Sequence, residues 1–343
     1  MSTATSHIGV VFGSMLIGGP GTNISAALRV TTTEGAIELL DVFAKHGHTE
    51  IDTARMYGGG TTEERLGTID WQERGLKMAT KLFPTKGKNM TFLFKDMFSH
   101  SPDDLRKGLG DSLTALKANK IDLFYLHAPD RSVPYEDTLR EINKMHSEGL
   151  FERFGLSNYP AWEVAQICEI CKANNWVLPT VYQGMYNALC RTIEPELIPC
   201  LRAYGISFYA YNPLAGGFLT SRYKRDQAVS EFSSFDRFHP DRPWAVHQRA
   251  RYWNEANFAA LDVLRSVISQ HGISETEAAL RWLAHHSVLR KESGDKVILG
   301  AGRKEHLEDN LRALESGPLP ADVVEVFEKA WEQARALPVQ YFT

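Results

Sequence analysis

The sequence predicts an α/β fold: a closed (β/α)8 TIM barrel that forms a single domain over residues 1–343. Short apolar runs alternate with segments of helical apolar spacing almost throughout the chain. Strict alternation of strand and helix is typical of closed parallel barrels, and a chain of 343 residues with 43% apolar residues suits that architecture. An open doubly wound sheet is the alternative.

Eight apolar runs are the predicted strands. In chain order they are Gly9–Phe12, Thr49–Asp52, Lys77–Lys81, Leu123–His127, Phe154–Ser157, Thr180–Gln183, Ser207–Tyr211 and Val297–Gly300. Helical spacing fills the connections, and Pro102, Pro160 and the pair Thr61-Thr62 stand where helices typically start. A last helix is predicted over Ala321–Ala334.

A long insertion, from Gly216 to Asn254, follows the seventh predicted strand and is rich in Arg, Phe, Pro and Trp. Loops that follow barrel strands lie on the face where barrel enzymes carry their active sites. We therefore expect the insertion to cover a site.

Composition excludes several classes of function. The net charge is -4 and no basic block stands out, which argues against nucleic-acid binding. There is no run of about eighteen apolar residues that could span a membrane, and no signal-peptide pattern, so we expect a cytoplasmic protein. Cys168 and Cys171 form a C-x-x-C motif, but their helical spacing predicts packing against the barrel rather than redox chemistry.

Four polar residues lie at or just past the ends of successive predicted strands. Asp52, Lys81 and His127 end the second, third and fourth strands, and Tyr57 follows Asp52 on the next loop. Charged groups in apolar surroundings are costly unless they are paired. Because the carboxyl ends of barrel strands converge on one face, we expect these four side chains to meet there.

An acid, a phenol, an ammonium and an imidazole together can donate a proton to a substrate. In this interpretation Tyr57 is the proton donor, and the charge of Lys81 lowers the pKa of its phenol. Asp52 keeps Lys81 charged and oriented, while His127 hydrogen-bonds the oxygen that receives the proton.

Other interpretations are open for individual residues. Considered without the other residues, Asp52 and Lys81 could form a purely structural ion pair. His127 could be a core histidine whose hydrogen bonds are satisfied within the protein. A serine hydrolase lacks its G-x-S-x-G turn, and no paired His or Cys residues stand at metal-ligand spacing. A Schiff base on Lys81 would require depressed basicity, which Asp52 opposes.

The motifs around these residues resemble those of the aldo-keto reductases. They are Ile51-Asp52-Thr53-Ala54, Met56-Tyr57-Gly58, Thr80-Lys81, Tyr125-Leu126-His127, Phe154-Gly155-Leu156-Ser157-Asn158, Val181-Tyr182-Gln183-Gly184-Met185-Tyr186-Asn187 and Tyr209-Ala210-Tyr211-Asn212-Pro213-Leu214-Ala215-Gly216-Gly217. Three further stretches resemble the aflatoxin aldehyde reductase branch: 214–220, 244–253 and the ending Tyr341-Phe342. The resemblance implies NADPH-dependent reduction of an aldehyde or ketone, with Asp52, Tyr57, Lys81 and His127 as the catalytic residues. It also suggests a homodimer.

The cofactor implied is NADPH/NADP⁺, although no G-x-G-x-x-G motif is present. A strand, a glycine turn and a helix start at 297–304 favour phosphate binding, with Arg303 and Lys304 adding charge. The resemblance implies cofactor contacts from Asp52, Ser157, Asn158, Gln183, Tyr211, Asn212, Pro213, Leu214, Ala215, Gly216, Gly217, Arg222, Gly300, Gly302, Arg303, His306 and Asn310. Relatives in this branch carry Ser-Ser near 302 and 303 and Gln near 306, which Gly302, Arg303 and His306 replace.

Substrate contacts implied by the resemblance are Tyr57, His127, Trp244 and Arg251, with Arg251 binding a substrate carboxylate. A surface arginine is the alternative for Arg251. Gln248 and Thr343 stand where relatives have a tyrosine and a terminal arginine, and Arg55 replaces an apolar residue, so we expect a substrate that differs from theirs, such as a bulkier aldehyde or ketone. A regulatory, redox-sensing homologue like the potassium-channel β subunits is the alternative to an enzyme.

Overall fold

The eight predicted strands close into one parallel barrel in sequence order. The structure is a computed structural model that describes residues 8–20, 28–88, 96–233, 236–242, 245–335 and 339–343. The strands are β1 Gly9–Gly13, β2 Glu50–Asp52, β3 Lys77–Leu82, β4 Ile121–Leu126, β5 Phe151–Ser157, β6 Pro179–Met185, β7 Ser207–Tyr211 and β8 Lys296–Leu299. The TIM barrel prediction is confirmed, and the open doubly wound alternative is wrong because β1 pairs with β8.

Eleven α-helices surround the barrel within the described residues. They are α1 Thr33–Lys45, α2 Thr61–Leu66, α3 Pro102–Leu116, α4 Tyr135–Ser147, α5 Ala161–Asn174, α6 Leu197–Tyr204, α7 Ala245–Tyr252, α8 Glu255–Gln270, α9 Glu275–His285, α10 Lys304–Glu315 and α11 Ala321–Ala334. The predicted starts are confirmed: Pro102 opens α3, Pro160 precedes α5, and Thr61 opens α2. The Ser101 side chain accepts a hydrogen bond from the Asp104 amide and so caps α3.

The barrel interior is filled with side chains, so the site can lie only at its rim. Buried residues from six of the eight strands form a separate apolar cluster: Val11, Ala79, Leu123, Tyr125, Val181, Tyr209 and Ile298. At the amino-terminal end of the strands, Glu50 accepts hydrogen bonds from Lys296 and from the Tyr209 hydroxyl, and it pairs with Arg153. This ionic layer closes that end of the barrel.

The insertion after β7 has an aromatic core of its own. Phe218 and Phe258 have ring centroids 5.0 Å apart, and Tyr223 and Phe238 4.8 Å apart. The Asp236 carboxylate, 3% exposed, accepts hydrogen bonds from the Tyr223 hydroxyl and the Phe238 amide. These contacts hold Asp236 and Phe238 in a defined position.

Cys168 and Cys171 are buried free thiols on α5, as predicted from their spacing. Burial raises the pKa of each thiol to about 12, so neither is a thiolate near neutral pH. Among the residues that the structure describes, no group of histidines, cysteines or carboxylates has the arrangement of a metal site. No helix in this part of the chain is long and apolar enough to cross a membrane.

Candidate active site

Asp52, Lys81, Tyr57 and His127 meet at the carboxyl end of the barrel. Asp52 is the last residue of β2, Lys81 lies near the end of β3, and His127 directly follows β4. Lys81 Nζ lies 2.6 Å from Asp52 Oδ1 and 3.3 Å from Tyr57 Oη, and the rings of Tyr57 and His127 meet edge to face with centroids 6.1 Å apart. The structure thus places together the four residues that the sequence singled out.

The ion pair between Lys81 and Asp52 is buried, with side-chain exposures of 0% and 4%. Lys81 Nζ also donates to the Thr53 carbonyl oxygen at 2.8 Å, and Gln183 Nε2 donates to Asp52 Oδ1 at 2.7 Å. Burial lowers the pKa of Lys81, while the Asp52 charge and hydrogen bond oppose that effect. The ammonium is therefore held by partners on three sides.

The pKa of Tyr57 moves opposite to the sequence-based prediction. Burial raises the pKa of the phenol well above its usual value, and the Asp52 charge adds to the rise. The charge of Arg237 works in the other direction, but it does not outweigh burial. The phenol oxygen accepts from Lys81, and a side-chain hydrogen bond with Asp52 also favours the protonated form, so Tyr57 is a neutral phenol near neutral pH.

His127 is a neutral imidazole in this site. Burial lowers its pKa well below the usual value, and the nearby Lys81 charge lowers it further. Its Nδ1 is buried and has no hydrogen-bond partner among the described residues. The ring also packs edge to face on Phe83, with centroids 5.5 Å apart. A neutral ring held this way can donate a hydrogen bond to an oxygen without carrying charge.

Glu63 is a buried residue that the sequence pattern had marked only as part of a helix start. Its carboxylate, with an exposure of 0%, lies 2.6 Å from Arg55 Nη1 and accepts from the Thr80 hydroxyl at 2.5 Å. Thr80 precedes Lys81, and Arg55 lies two residues before Tyr57. Gly60 has φ +98, and a Cβ there would lie 1.8 Å from Arg55 Nη2. Through its contacts with Arg55 and Thr80, Glu63 therefore connects the Tyr57 loop to β3.

Ser157 and Asn158, at the end of β5, form a hydrogen-bonded cluster beside His127. Asn158 Nδ2 donates to the His127 carbonyl oxygen at 2.9 Å and to Ser157 Oγ at 3.0 Å. The Tyr211 hydroxyl donates to Asn158 Oδ1 at 3.1 Å, and the Thr343 amide donates to the Asn158 carbonyl oxygen. The tail therefore reaches the site even though Thr343 replaces the expected arginine.

The segment after β7 has an unusual backbone. Asn212, Ala215, Gly216 and Gly217 all have positive φ, from 51° to 101°. Successive amides in such conformations form concavities that attract anions. A Cβ on Gly216 would lie 2.9 Å from Gln248 Oε1, a buried acceptor without a hydrogen-bond partner in the described part of the chain. Pro213 and Leu214 belong to the same turn, and Arg222 lies beyond it, 3.8 Å from Asp236.

The turn between β8 and α10 also lies at the barrel rim. Gly300 and Gly302 precede Arg303, which is the N-cap residue of α10. His306 is exposed and Asn310 is buried on the same helix. Lys304 Nζ lies 3.4 Å from Glu38 of α1. Arg303 forms no ion pair within the described residues, so its charge is not compensated there as that of Lys304 is.

Two arginines of the insertion lie within electrostatic reach of tyrosines at the site. The Arg251 charge acts on Tyr211, opposing the burial that raises the pKa of that phenol to about 12. Arg237, which the sequence analysis missed, lies within electrostatic reach of Tyr57 and forms no ion pair in the described segments. The sequence feature that could have indicated Arg237 is its position between Asp236 and Phe238 in the insertion. Trp244 lies outside the described residues.

Comparison with known proteins agrees with this geometry. The model of the aldo/keto reductase family matches residues 10–332. This chain belongs to the aldo/keto reductase family. It is 48% identical over 333 residues to aldo-keto reductase pigE of Monascus ruber, covering 97% of this chain and 96% of that protein.

Aflatoxin B1 aldehyde reductases are also similar to this aldo-keto reductase. The mouse member 2 is 43% identical, covering 92% of this chain and 89% of its own length. The human member 2 is 46% identical, covering 84% and 79%. The resemblance to this branch is therefore confirmed, and the chain is an oxidoreductase of the carbonyl-reducing class.

Proposed function

We propose that this protein reduces an aldehyde or ketone to the alcohol with NADPH, and that Tyr57 supplies the proton. The observation that carries the proposal is the hydrogen bond from Lys81 Nζ to Tyr57 Oη at 3.3 Å, with Lys81 itself fixed by Asp52 at 2.6 Å. This arrangement leaves the phenolic proton directed away from the ammonium. The arrangement suits a proton donor rather than a nucleophile or a set of metal ligands.

The residues at the barrel mouth fit a dinucleotide. The positive-φ turn at residues 212–217 offers backbone amides to phosphate, and Gln248 Oε1 is a buried acceptor that a ligand hydroxyl or amide could satisfy. Arg222 and Arg303 add positive charge. When bound, NADPH would supply the hydride. Ser157, Asn158 and Gln183 would hold its nicotinamide amide, which requires the Tyr211 hydroxyl to leave Asn158.

The protein's own residues then have separate tasks. His127 holds the carbonyl oxygen through a neutral imidazole, and Tyr57 transfers its proton to that oxygen as negative charge develops there. Lys81 stabilises the phenolate that remains, and Asp52 keeps Lys81 charged. The raised pKa of Tyr57 ensures that the donor is protonated before the reaction.

The substrate we propose is a small-molecule carbonyl compound, and the names of the relatives and the charges at the barrel mouth indicate its chemical class. Two of the relatives carry aflatoxin B1 aldehyde reductase in their names, which supports an aldehyde. Arg251 and Arg237 at the mouth favour a substrate with a negative or strongly polar group. We further propose that the protein is cytoplasmic and, from the resemblance alone, that it forms a homodimer. Light scattering after size exclusion tests the dimer.

The test is Tyr57→Phe, which removes the hydroxyl and nearly preserves shape. Loss of a general acid should lower the single-turnover rate by about 10²–10⁴-fold, while NADPH affinity changes little. Tyr204→Phe, on α6 away from the site, is the matched control and should leave the rate unchanged. If Tyr57→Phe keeps more than a tenth of the wild-type rate, Tyr57 is not the donor. No turnover by the wild type with a broad aldehyde panel would favour the regulatory alternative.

A further inference from the structure

Arg29 lies on the connection between β1 and α1, which no motif had marked. Its backbone is held to the rim of the barrel: the amides of Arg29 and Val30 donate to the Leu16 carbonyl oxygen at 2.8 and 3.0 Å. Gly18 in turn donates to the Val30 carbonyl oxygen at 3.0 Å. The start of the Arg29 side chain is therefore well defined.

The Arg29 side chain lies against Gly302 of the turn between β8 and α10. A Cβ on Gly302 would lie 2.8 Å from Arg29 Cβ and 3.0 Å from Arg29 Cγ, which is too close for both side chains. Gly302 is not among the glycines with positive φ, so its backbone conformation does not require glycine. Glycine is required at position 302 because any larger residue would occupy the space of the Arg29 side chain.

Arg29 and Arg303 line the same cleft, which has a volume of about 340 Å³. Lys304 is also in its wall, but that ammonium faces Glu38 at 3.4 Å. The hydroxyl-bearing residues Thr31 and Thr32 complete the polar lining. Two arginines from different loops thus line one cleft beside the Gly302 turn.

Positive charge accumulates around Arg29 from the other side of the mouth. Burial lowers the pKa of its guanidinium, and the charges of Arg222 and Arg237 lower it further. The Asp236 carboxylate, which also lies 3.8 Å from Arg222, opposes them as a negative charge among these three arginines. An anion between these loops would relieve the repulsion.

We propose that Arg29, together with Arg303, binds the 2'-phosphate of NADPH, and that Gly302 is required because it leaves room for Arg29. The inference rests on the proposed use of NADPH and adds a residue from the first loop of the barrel to cofactor selection. Arginine suits this role because its planar donors match phosphate oxygens two at a time.

The experiment measures cofactor binding without turnover, by quenching of tryptophan fluorescence with NADPH and with NADH. Arg29→Met keeps the carbons that pack on Gly302 and removes the charge. A charge-assisted contact at an exposed residue predicts about a tenfold weaker Kd for NADPH, and a change of less than about twofold for NADH. Arg74→Met is the control. It also replaces an arginine with methionine, but Arg74 pairs with Asp41 away from the barrel mouth.

A second variant, Gly302→Ala, tests the packing half of the proposal. It should displace Arg29 and also weaken NADPH selectively, and the double variant should be no weaker than Arg29→Met alone. Equal weakening of NADPH and NADH by Arg29→Met, or no change for either, would overturn the role of Arg29. If the wild type itself binds both cofactors equally, the proposed NADPH preference fails first, and the proposal for Arg29 fails with it.

Discussion

The buried ion pair under the site allows a quantitative test of its electrostatics. Lys81→Met keeps most of the side-chain length but leaves the Asp52 carboxylate without its cation. The two side chains are only 0% and 4% exposed, so water cannot replace the ammonium. Removing one partner of a buried pair typically costs about 3–5 kcal/mol of the free energy of unfolding.

For Lys81→Met, the expected loss in the free energy of unfolding lies near the lower end of the range for buried ion pairs. Gln183 Nε2 still donates to Asp52 Oδ1 at 2.7 Å in the variant and retains part of the stabilisation. We therefore expect a loss of about 3 kcal/mol for Lys81→Met. Adding Asp52→Asn removes the stranded charge, so the double variant should regain roughly 1–3 kcal/mol relative to the single one.

Urea denaturation of the cofactor-free protein, followed by tryptophan fluorescence, measures these differences. Lys329→Met is the control, because Lys329 and Glu325 form an exposed pair one helical turn apart on α11, and its loss should cost less than about 0.5 kcal/mol. The reasoning is refuted if Lys81→Met costs no more than this control. It is also refuted if the double variant is less stable than Lys81→Met, since the carboxylate would then not be the unfavourable group.

Three further predictions concern catalysis and binding. Burial raises the pKa of Tyr57 and lowers that of His127, so kcat/KM for reduction should stay level between about pH 6 and 9, and a step near pH 7 would contradict this. If Arg251 binds a substrate carboxylate, wild type should prefer succinic semialdehyde over butanal, and Arg251→Met should erase the preference through KM; an unchanged ratio excludes that role. Arg303→Ala should weaken NADPH about ten- to a hundredfold and NADH hardly at all, and equal weakening in titrations would disprove its contact with the 2'-phosphate.

The parts of the site on the barrel strands could be predicted from sequence alone. Asp52, Lys81 and His127 each end a short apolar run, and parallel barrel strands bring such ends to one face whatever the loops do. The observed strand boundaries differ from the predicted ones by a few residues. β4 begins at Ile121 rather than Leu123, and His127 lies just beyond its end. These shifts did not alter which side chains converge.

The contributions of the loops could not be predicted, because they depend on contacts between distant segments. Glu63 meets Thr80 seventeen residues away in sequence, and Arg237 approaches Tyr57 only because Asp236 and the aromatic core fix the insertion. Nothing in the local pattern of residues 28–30 indicates that Arg29 will lie on Gly302. Loop packing of this kind is decided by shape, which no periodicity encodes.

The barrel, its order of elements and the four central residues could be read from the sequence, because hydrophobic periodicity and the cost of burying charge are local signals. Tertiary structure alone decided the direction of the Tyr57 pKa. The sequence predicted that the neighbouring ammonium lowers this pKa, whereas the folded chain raises it, because water is excluded from the phenol and the charge of Asp52 favours the protonated form. Burial is a property of the whole fold, and only the fold could supply it.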